Sequence, residues 1–338
     1  LHWGGVARRW VTHWDRLDAS DEETRPPAVS VVMAVCNDAS YVEQAVDSIL
    51  GQTIWDLELI VVNDGSTDVT GEILHRYRDA RLRIVDQDNA GLWAALNRGL
   101  REARGALVAR MDGDDVTHPR RLQRQLDFLE AHPRVALVGT SCYKVDASGR
   151  IFMLYPVPTG DGQIKRRMPH GSQFIHPSVL MRRQALDRVG PYRRQEAEDY
   201  DLFLRISERF EVANLEPPLH RLRRTGTTRV ARFEREILDS ARHCVERARR
   251  RCAEGRDDEG HPALRRRPFL GLPLGCLRWP ERRPYARTLH ALGEATVATD
   301  VATARVLLAR AAVLAPEVWQ HWRAWLQACL PHRQSPAG

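Results

Sequence analysis

The apolar run Ala106-Leu107-Val108-Ala109-Arg110-Met111 stops at Asp112-Gly113-Asp114-Asp115. Two carboxylates one residue apart at a strand end can hold a hard divalent cation, Mg2+ or Mn2+, through oxygen. Such an ion grips the phosphates of a nucleoside diphosphate and neutralises the charge that builds there as a bond to it breaks. An isolated Asp-x-Asp is a short string that also occurs as an acidic turn before a helix. This one stands fourth in a series, after Cys36-Asn37-Asp38, residues 63–68 and residues 86–91, and each member follows an apolar run. Carboxylates gathered so densely repel one another unless a cation sits among them, so the series predicts a bound metal.

For these segments to converge, the runs before them must lie side by side and point the same way. Strands are predicted at 29–35, 57–62, 82–85 and 106–111, and helices at 42–50, 69–77, 92–103 and 120–131. Ser40-Tyr41-Val42-Glu43 has the pattern of a capping box for the first helix. The alternation is that of a parallel sheet with crossover helices, whose ligands collect beyond the carboxyl ends of the strands. After residue 135 come shorter strands at 135–140, 151–154 and 178–182, and a Gly- and Pro-punctuated stretch at 155–171 reads as a loop that could cover the site. Glu198-Asp199-Tyr200-Asp201 opens a helix to about residue 208, and 210–215 reads as another strand. Beyond 228 the chain is helical and basic, broken at 268–284 and closing on a predicted helical hairpin at 285–314 and 316–330. The expected fold is α/β, a Rossmann-like, doubly wound and mostly parallel sheet with a C-terminal helical extension. It divides into a preamble (1–27), a catalytic domain (28–228) and a mostly helical basic region (229–338).

The formal charge of +7 over 338 residues is modest, but arginines cluster late, at Arg247, Arg249-Arg250-Arg251 and Arg265-Arg266-Arg267. That favours anionic partners such as a nucleotide diphosphate, a lipid-linked acceptor or an anionic membrane leaflet touched peripherally. Nucleic acid is disfavoured, since no motif with groove or stacking geometry is present. The six cysteines are scattered with no Cys-x-x-Cys pair, and no apolar run approaches a membrane span or a signal core. A cytoplasmic protein, in peripheral contact with the inner face of the cell membrane, is expected.

Several motifs in order carry a family resemblance. Val31-Val32-Met33-Ala34-Val35-Cys36-Asn37, Gln52-Thr53, Val62-Asn63-Asp64-Gly65-Ser66-Thr67-Asp68, Asn89-Ala90-Gly91-Leu92 with Asn97-Arg98-Gly99, Asp112-Gly113-Asp114-Asp115 and Ala197-Glu198-Asp199-Tyr200-Asp201-Leu202 together resemble the family 2 glycosyltransferases. The family has a GT-A fold, and the resemblance covers residues 29–228. It implies transfer of a sugar from a nucleotide-diphosphate donor, a UDP-sugar above all, to a glycan or lipid-linked acceptor in cell-surface polysaccharide synthesis, with inversion. The donor would be bound by Ala34, Asn37, Asp38, Asp64, Asn89, Gly91, Arg98 and Asp112, with Asp64 accepting a hydrogen bond from the base. Asp112 and Asp114 would hold the metal, and Asp115 would cap the helix after Pro119. Asp199 would be the catalytic base, Glu198 its rival, Asp201 a helix-terminus stabiliser and His176 either a pocket wall or a metal-side contact.

Three departures matter. Ala34 and Cys36 stand where the family usually has Pro and Tyr. Arg221-Leu222-Arg223 has Arg where the family's Arg-x-His has His, so Arg223 or Arg224 would neutralise phosphate, or the metal would keep an additional water. Gln320-His321-Trp322-Arg323-Ala324-Trp325 has one residue too many for the Gln-x-x-Arg-Trp of processive synthases. The competing readings are a nucleotidyltransferase, which would want a Gly-rich basic signature where Ala34-Val35-Cys36-Asn37 offers none, and a non-catalytic nucleotide-sugar-binding or scaffolding protein.

Overall fold

A computed structural model describes residues 25–224 and 234–254. The predicted preamble apart from 25–27, the hairpin at 285–330 and the Arg265–Arg267 cluster lie outside the described residues.

Strands β1 (Val29–Val35), β2 (Leu57–Asp64), β3 (Leu82–Gln87) and β4 (Leu107–Asp112) pair in parallel in the order β3-β2-β1-β4. Helices α1 (Val42–Leu50), α2 (Thr70–His75) and α3 (Leu92–Glu102) form the crossovers. Both faces of β1 and β2 are covered, which is why these strands are buried along their whole length and lack polar alternation. One apolar layer holds Val32, Ile60, Val62, Ala95 and Leu96, and the opposite layer holds Val31, Leu59, Val46, Ile49 and Leu74.

The sheet continues through β8 (Leu180–Arg182), β6 (Val135–Val145), β9 (Glu211–Arg223) and the short β5 (Val116–Thr117), with β7 (Ile151–Tyr155) paired to β6. Only β8 interrupts the run of parallel neighbours on the way from β4 to β9, so the sheet is mostly parallel, as expected. Helix α4 (Arg121–Ala131) precedes β6, α5 (Asp161–Arg167) and α6 (Arg183–Val189) flank β8, and α7 (Glu198–Arg209) leads into β9. A long helix, α8 (Glu234–Glu254), packs on α7. Among the described residues no helix is long and apolar enough to cross a membrane.

Four local expectations are corrected. The stretch 155–171 is no open loop: it contains α5, and Ile164 and Met168 are fully buried in the core. The strand expected at 210–215 runs on to Arg223, because it is paired with β6 to Val145 despite Pro217 and Pro218, with irregular register where the prolines fall. The Ser40 capping box does not form: Tyr41 occupies the cap position without a side-chain bond, and the Asp38 carbonyl accepts the N–H groups of Tyr41 and Val42. The arginine run on α8 is no uniform solvated face, since Arg251 is buried and bonded to Glu208 at 2.7 Å.

Candidate active site

The order β3-β2-β1-β4 places a reversal of winding between β1 and β4, where the carboxyl ends open a crevice. Asn37, just past β1, adopts a positive φ of 59°. Its side-chain oxygen accepts the N–H groups of Thr67 and Asp68, at 2.7 and 3.3 Å, so it fixes the turn after β2. Asp64 is buried and accepts the N–H groups of Ala90 and Gly91 at 2.8 and 2.9 Å, and the Gln87 side chain at 2.7 Å. Its carboxylate therefore buckles the loop after β3 onto the end of β2. Asn89 returns a bond to the Asp64 carbonyl at 2.9 Å. Gly65 has φ 67°, and a Cβ there would stand 2.6 Å from the Asn89 nitrogen, so both conformation and space demand glycine. Four of the expected donor-side residues, Asn37, Asp64, Asn89 and Gly91, thus form one hydrogen-bonded rim.

The carboxylates of Asp112, Asp114 and Asp115 come within 4.8 Å of one another at the end of β4. Gly113 lets this turn press against the first loop: a Cβ there would meet Val35 at 2.6 Å and the Asp38 carboxylate at 2.8 Å. Burial, then Asp114, push the Asp38 carboxyl up to about 7. Burial, then Asp115 and Asp112, push Asp114 up to about 8, and burial, then Asp112, push Asp115 up to about 8. The crowding is the electrostatic condition a divalent cation relieves, and a set of carboxylate oxygens suits Mg2+ or Mn2+.

The three carboxylates are not equivalent. Asp112 is paired with the fully buried Arg110: burial pulls that guanidinium's pKa down, but Asp112, Tyr192 and Asp115 together raise it. Asp115 turns inward, shares a 2.9 Å hydrogen bond with His220 and accepts the Arg223 N–H at 2.7 Å. It does not cap the helix after Pro119, as expected from sequence, and α4 begins with no side-chain cap. The reason is the antiparallel pairing of β5 with β9, which sets Thr117 opposite His220 and so carries that histidine in under the motif. His220 is held well below the usual histidine range by burial and then by Arg121, so it is neutral. Asp114 is left as the carboxylate least committed to the protein.

The Arg-x-His departure also resolves. Arg223 is consumed structurally: its guanidinium donates to the carbonyls of Asp114, Asp146 and Ala147 and lies 4.3 Å from the Tyr41 ring. Arg224 is the one whose charge bears on Asp114 and Asp115. Arg98 is not at the rim. It sits about 9 Å along α3 from the helix start, paired with Glu102 at 3.0 Å. Ala34 is likewise buried among core side chains between β2 and β4.

Asp199 lies half-buried in the first turn of α7, whereas Glu198 is buried. Asp201 does more than face a helix dipole. It is fully buried and bonded to Arg205 at 2.8 Å, Arg247 at 3.2 Å and Arg193 at 3.5 Å, cations from α7 itself, from α8 and from the preceding loop. His176 bonds the Tyr192 hydroxyl at 3.0 Å and packs edge-on to Phe203, which makes it a wall beneath the loop before α7. It is not among the carboxylates grouped at the motif. Sequence reasoning missed Arg110, although an arginine inside an apolar strand was a visible signal. His220 stands just before the Arg-x-Arg, out of register to replace the family's His, and its contact with Asp115 spans 105 residues of chain.

A doubly wound sheet with a carboxylate cluster at its switch point is an α/β ligand-binding scaffold. Residues 30–190 match "Glycosyl transferase family 2". "Putative glycosyltransferase EpsE" of Bacillus subtilis is 35% identical over 210 residues, 58% of this chain and 73% of that protein. "O-antigen biosynthesis glycosyltransferase WbnJ" of Escherichia coli is 31% identical over 182 residues, 53% of this chain and 71% of that one. The chain belongs to the family 2 glycosyltransferases. The fold is shared with TarS 1-349 of S. aureus, solved with UDP-GlcNAc, at a TM-score of 0.52 and 17% identity over 89% of this chain and 90% of that one. Mannosyltransferase PcManGT from Pyrobaculum calidifontis, solved with GDP-Man and Mn2+, gives 0.50 and 22% over 90% and 86%.

Proposed function

We propose that this chain is a metal-dependent, inverting glycosyltransferase that moves a sugar from a UDP-sugar to a glycan or lipid-linked acceptor during assembly of a surface polysaccharide. The observation that carries the reading is the meeting of Asp112 and Asp114 with the Asn37–Asp64–Asn89 rim at one switch point. On this reading the rim takes the nucleoside, with the remaining lone pair of Asp64 turned to the base N–H. Asp114, with Asp112 beside it, would hold Mg2+ or Mn2+, which supplies charge neutralisation to the diphosphate as it leaves. Arg224 adds a fixed positive charge on the same side. Asp199 takes the proton from the attacking hydroxyl, and the Asp201 ion network holds the turn from which it acts. The O-antigen biosynthesis for which WbnJ is named supports polysaccharide assembly, and the UDP-GlcNAc and GDP-Man complexes of TarS and PcManGT support a nucleotide-sugar donor.

The test is a thermal-shift panel of nucleotide-diphosphate sugars with and without Mn2+. A ligand that binds only the folded state raises stability by mass action. A shift for UDP-sugars that needs the cation, followed by transfer to an acceptor extract, supports the enzyme. Binding without any transfer or hydrolysis favours the scaffolding alternative.

A further inference from the structure

Helix α8 lies beyond the part of the chain that matches the family, which ends at residue 190, yet it is stitched to the start of α7. The Ala197 N–H donates to Ser240 Oγ at 3.1 Å, and Arg247 reaches Asp201 at 3.2 Å. One turn further on, Arg251 holds Glu208 at 2.7 Å. Between this helix and the loop before α7 opens a cleft of about 550 Å³, lined by Gln195, Glu196, Ser240, His243, Glu246, Arg247 and Arg250. Its volume falls in the range of small-molecule sites.

The lining has a specific chemistry. Every lining side chain carries a polar or charged group. The amide, hydroxyl and imidazole groups can donate and accept, the two glutamates accept, and the two arginines donate. The formal charges of Glu196, Glu246, Arg247 and Arg250 cancel, which gives an anionic ligand no net attraction. A molecule studded with hydroxyls, each a donor and an acceptor at once, matches such a wall. The position also fits: Glu196 is in the turn that carries Asp199, and Asp199 lies near enough to Cys244 of α8 for its charge to bear on that thiol. Because the bonds from Ser240 and Arg247 tie the two walls together, the cleft is formed before any ligand arrives.

We propose that this cleft is an acceptor subsite that takes a neutral saccharide, with His243 and Arg250 of α8 selecting it. The inference rests on the glycosyltransferase reading above, and it makes α8 a specificity element of the enzyme. The His243 Nδ1 atom is already engaged with the Asp239 carbonyl at 2.8 Å, so the ring is oriented and its Nε2 is the atom offered to a sugar.

The experiment uses the full chain loaded with UDP and Mn2+, applied to an array of defined neutral, sialylated and phosphorylated oligosaccharides. UDP affinity is measured in parallel by calorimetry. Wild type should retain a subset of the neutral glycans. His243→Ala combined with Arg250→Ala should weaken that retention by about tenfold or more, roughly 1.4 kcal/mol per tenfold, while UDP affinity stays at the wild-type value. His243→Gln, which keeps a hydrogen-bonding side chain, should recover part of the loss. Undiminished glycan retention by the double variant overturns the proposal. So does UDP-loaded wild type that retains only anionic glycans, or none. A wild type that fails to bind UDP removes the underlying glycosyltransferase reading instead, and the calorimetric arm reports that outcome separately.

Discussion

Asp115 and His220 share a 2.9 Å hydrogen bond inside the protein although 105 residues separate them in the chain. Of the three motif carboxylates, this contact turns Asp115 into the core and leaves Asp114 the least committed to the protein. Asp115→Ala would strand the His220 ring and the Arg223 N–H, each buried group costing about 1–3 kcal/mol. We expect Tm to fall by roughly 5–15 °C, as measured by calorimetry. Asp114→Ala, which deletes no comparable buried bond, should move Tm little. Equal losses in the two variants would contradict the division of labour within the motif.

The metal prediction follows from the same division. UDP should bind appreciably more tightly with Mg2+ or Mn2+ than with a chelator present. Asp114→Ala should abolish most of that difference, because removing one carboxylate oxygen from a small donor set leaves the cation weakly held. Isothermal calorimetry with and without EDTA checks it, and a UDP affinity indifferent to chelator would remove the metal from the proposed function.

Asp199→Asn keeps shape and hydrogen bonding but loses basicity. Transfer should fall by about 10²–10⁴-fold, the usual contribution of a positioned general base, with donor affinity near wild type. Glu198→Gln should instead act through stability, since that side chain is buried. NMR of the product fixes the anomeric configuration, and retention of the donor's configuration would rule out single-step displacement with Asp199 as base.

Lys144 lies 4.0 Å from the Tyr155 ring and its pKa is pushed down to about 7 from 10.5 by burial and then by Arg224. Between about pH 7 and its ordinary range the unfolded chain holds a proton that the folded chain has released, so this residue's contribution makes stability rise with pH across that window. Below about pH 7 the ammonium is charged in both states and its contribution is flat. Wild-type stability relative to Lys144→Met should therefore climb from pH 7 toward pH 10 in urea titrations. A difference independent of pH would show that Lys144 titrates normally.

Much of the donor half was legible in the sequence. The apolar runs at 29–35, 57–62 and 82–85 read as strands, the first two buried and the third half-buried at the sheet edge, and the helical crossovers between them give parallel neighbours whose carboxyl ends share an edge. That order by itself brings Asn37, Asp64, Asn89 and Asp112–Asp115 to one edge. Composition and turn chemistry misled where packing overrode them: the Gly and Pro at 155–171 suggested a loop, yet Ile164 and Met168 bury enough apolar surface to hold a helix there.

What the tertiary structure alone decided is which charged groups spend themselves on the protein and which remain for a ligand. Local sequence set Asp115 apart only as a cap for the helix after Pro119, and left Arg223 and Arg224 interchangeable. The pairing of β5 with β9 and of β9 with β6 separates them, giving Asp115 to His220 and Arg223 to three backbone carbonyls. The same holds for Asp201, neutralised by arginines from three parts of the chain. The physical reason is that a side chain's availability depends on its desolvation and on partners distant in sequence. Periodicity and motif spacing carry the first only coarsely and the second not at all.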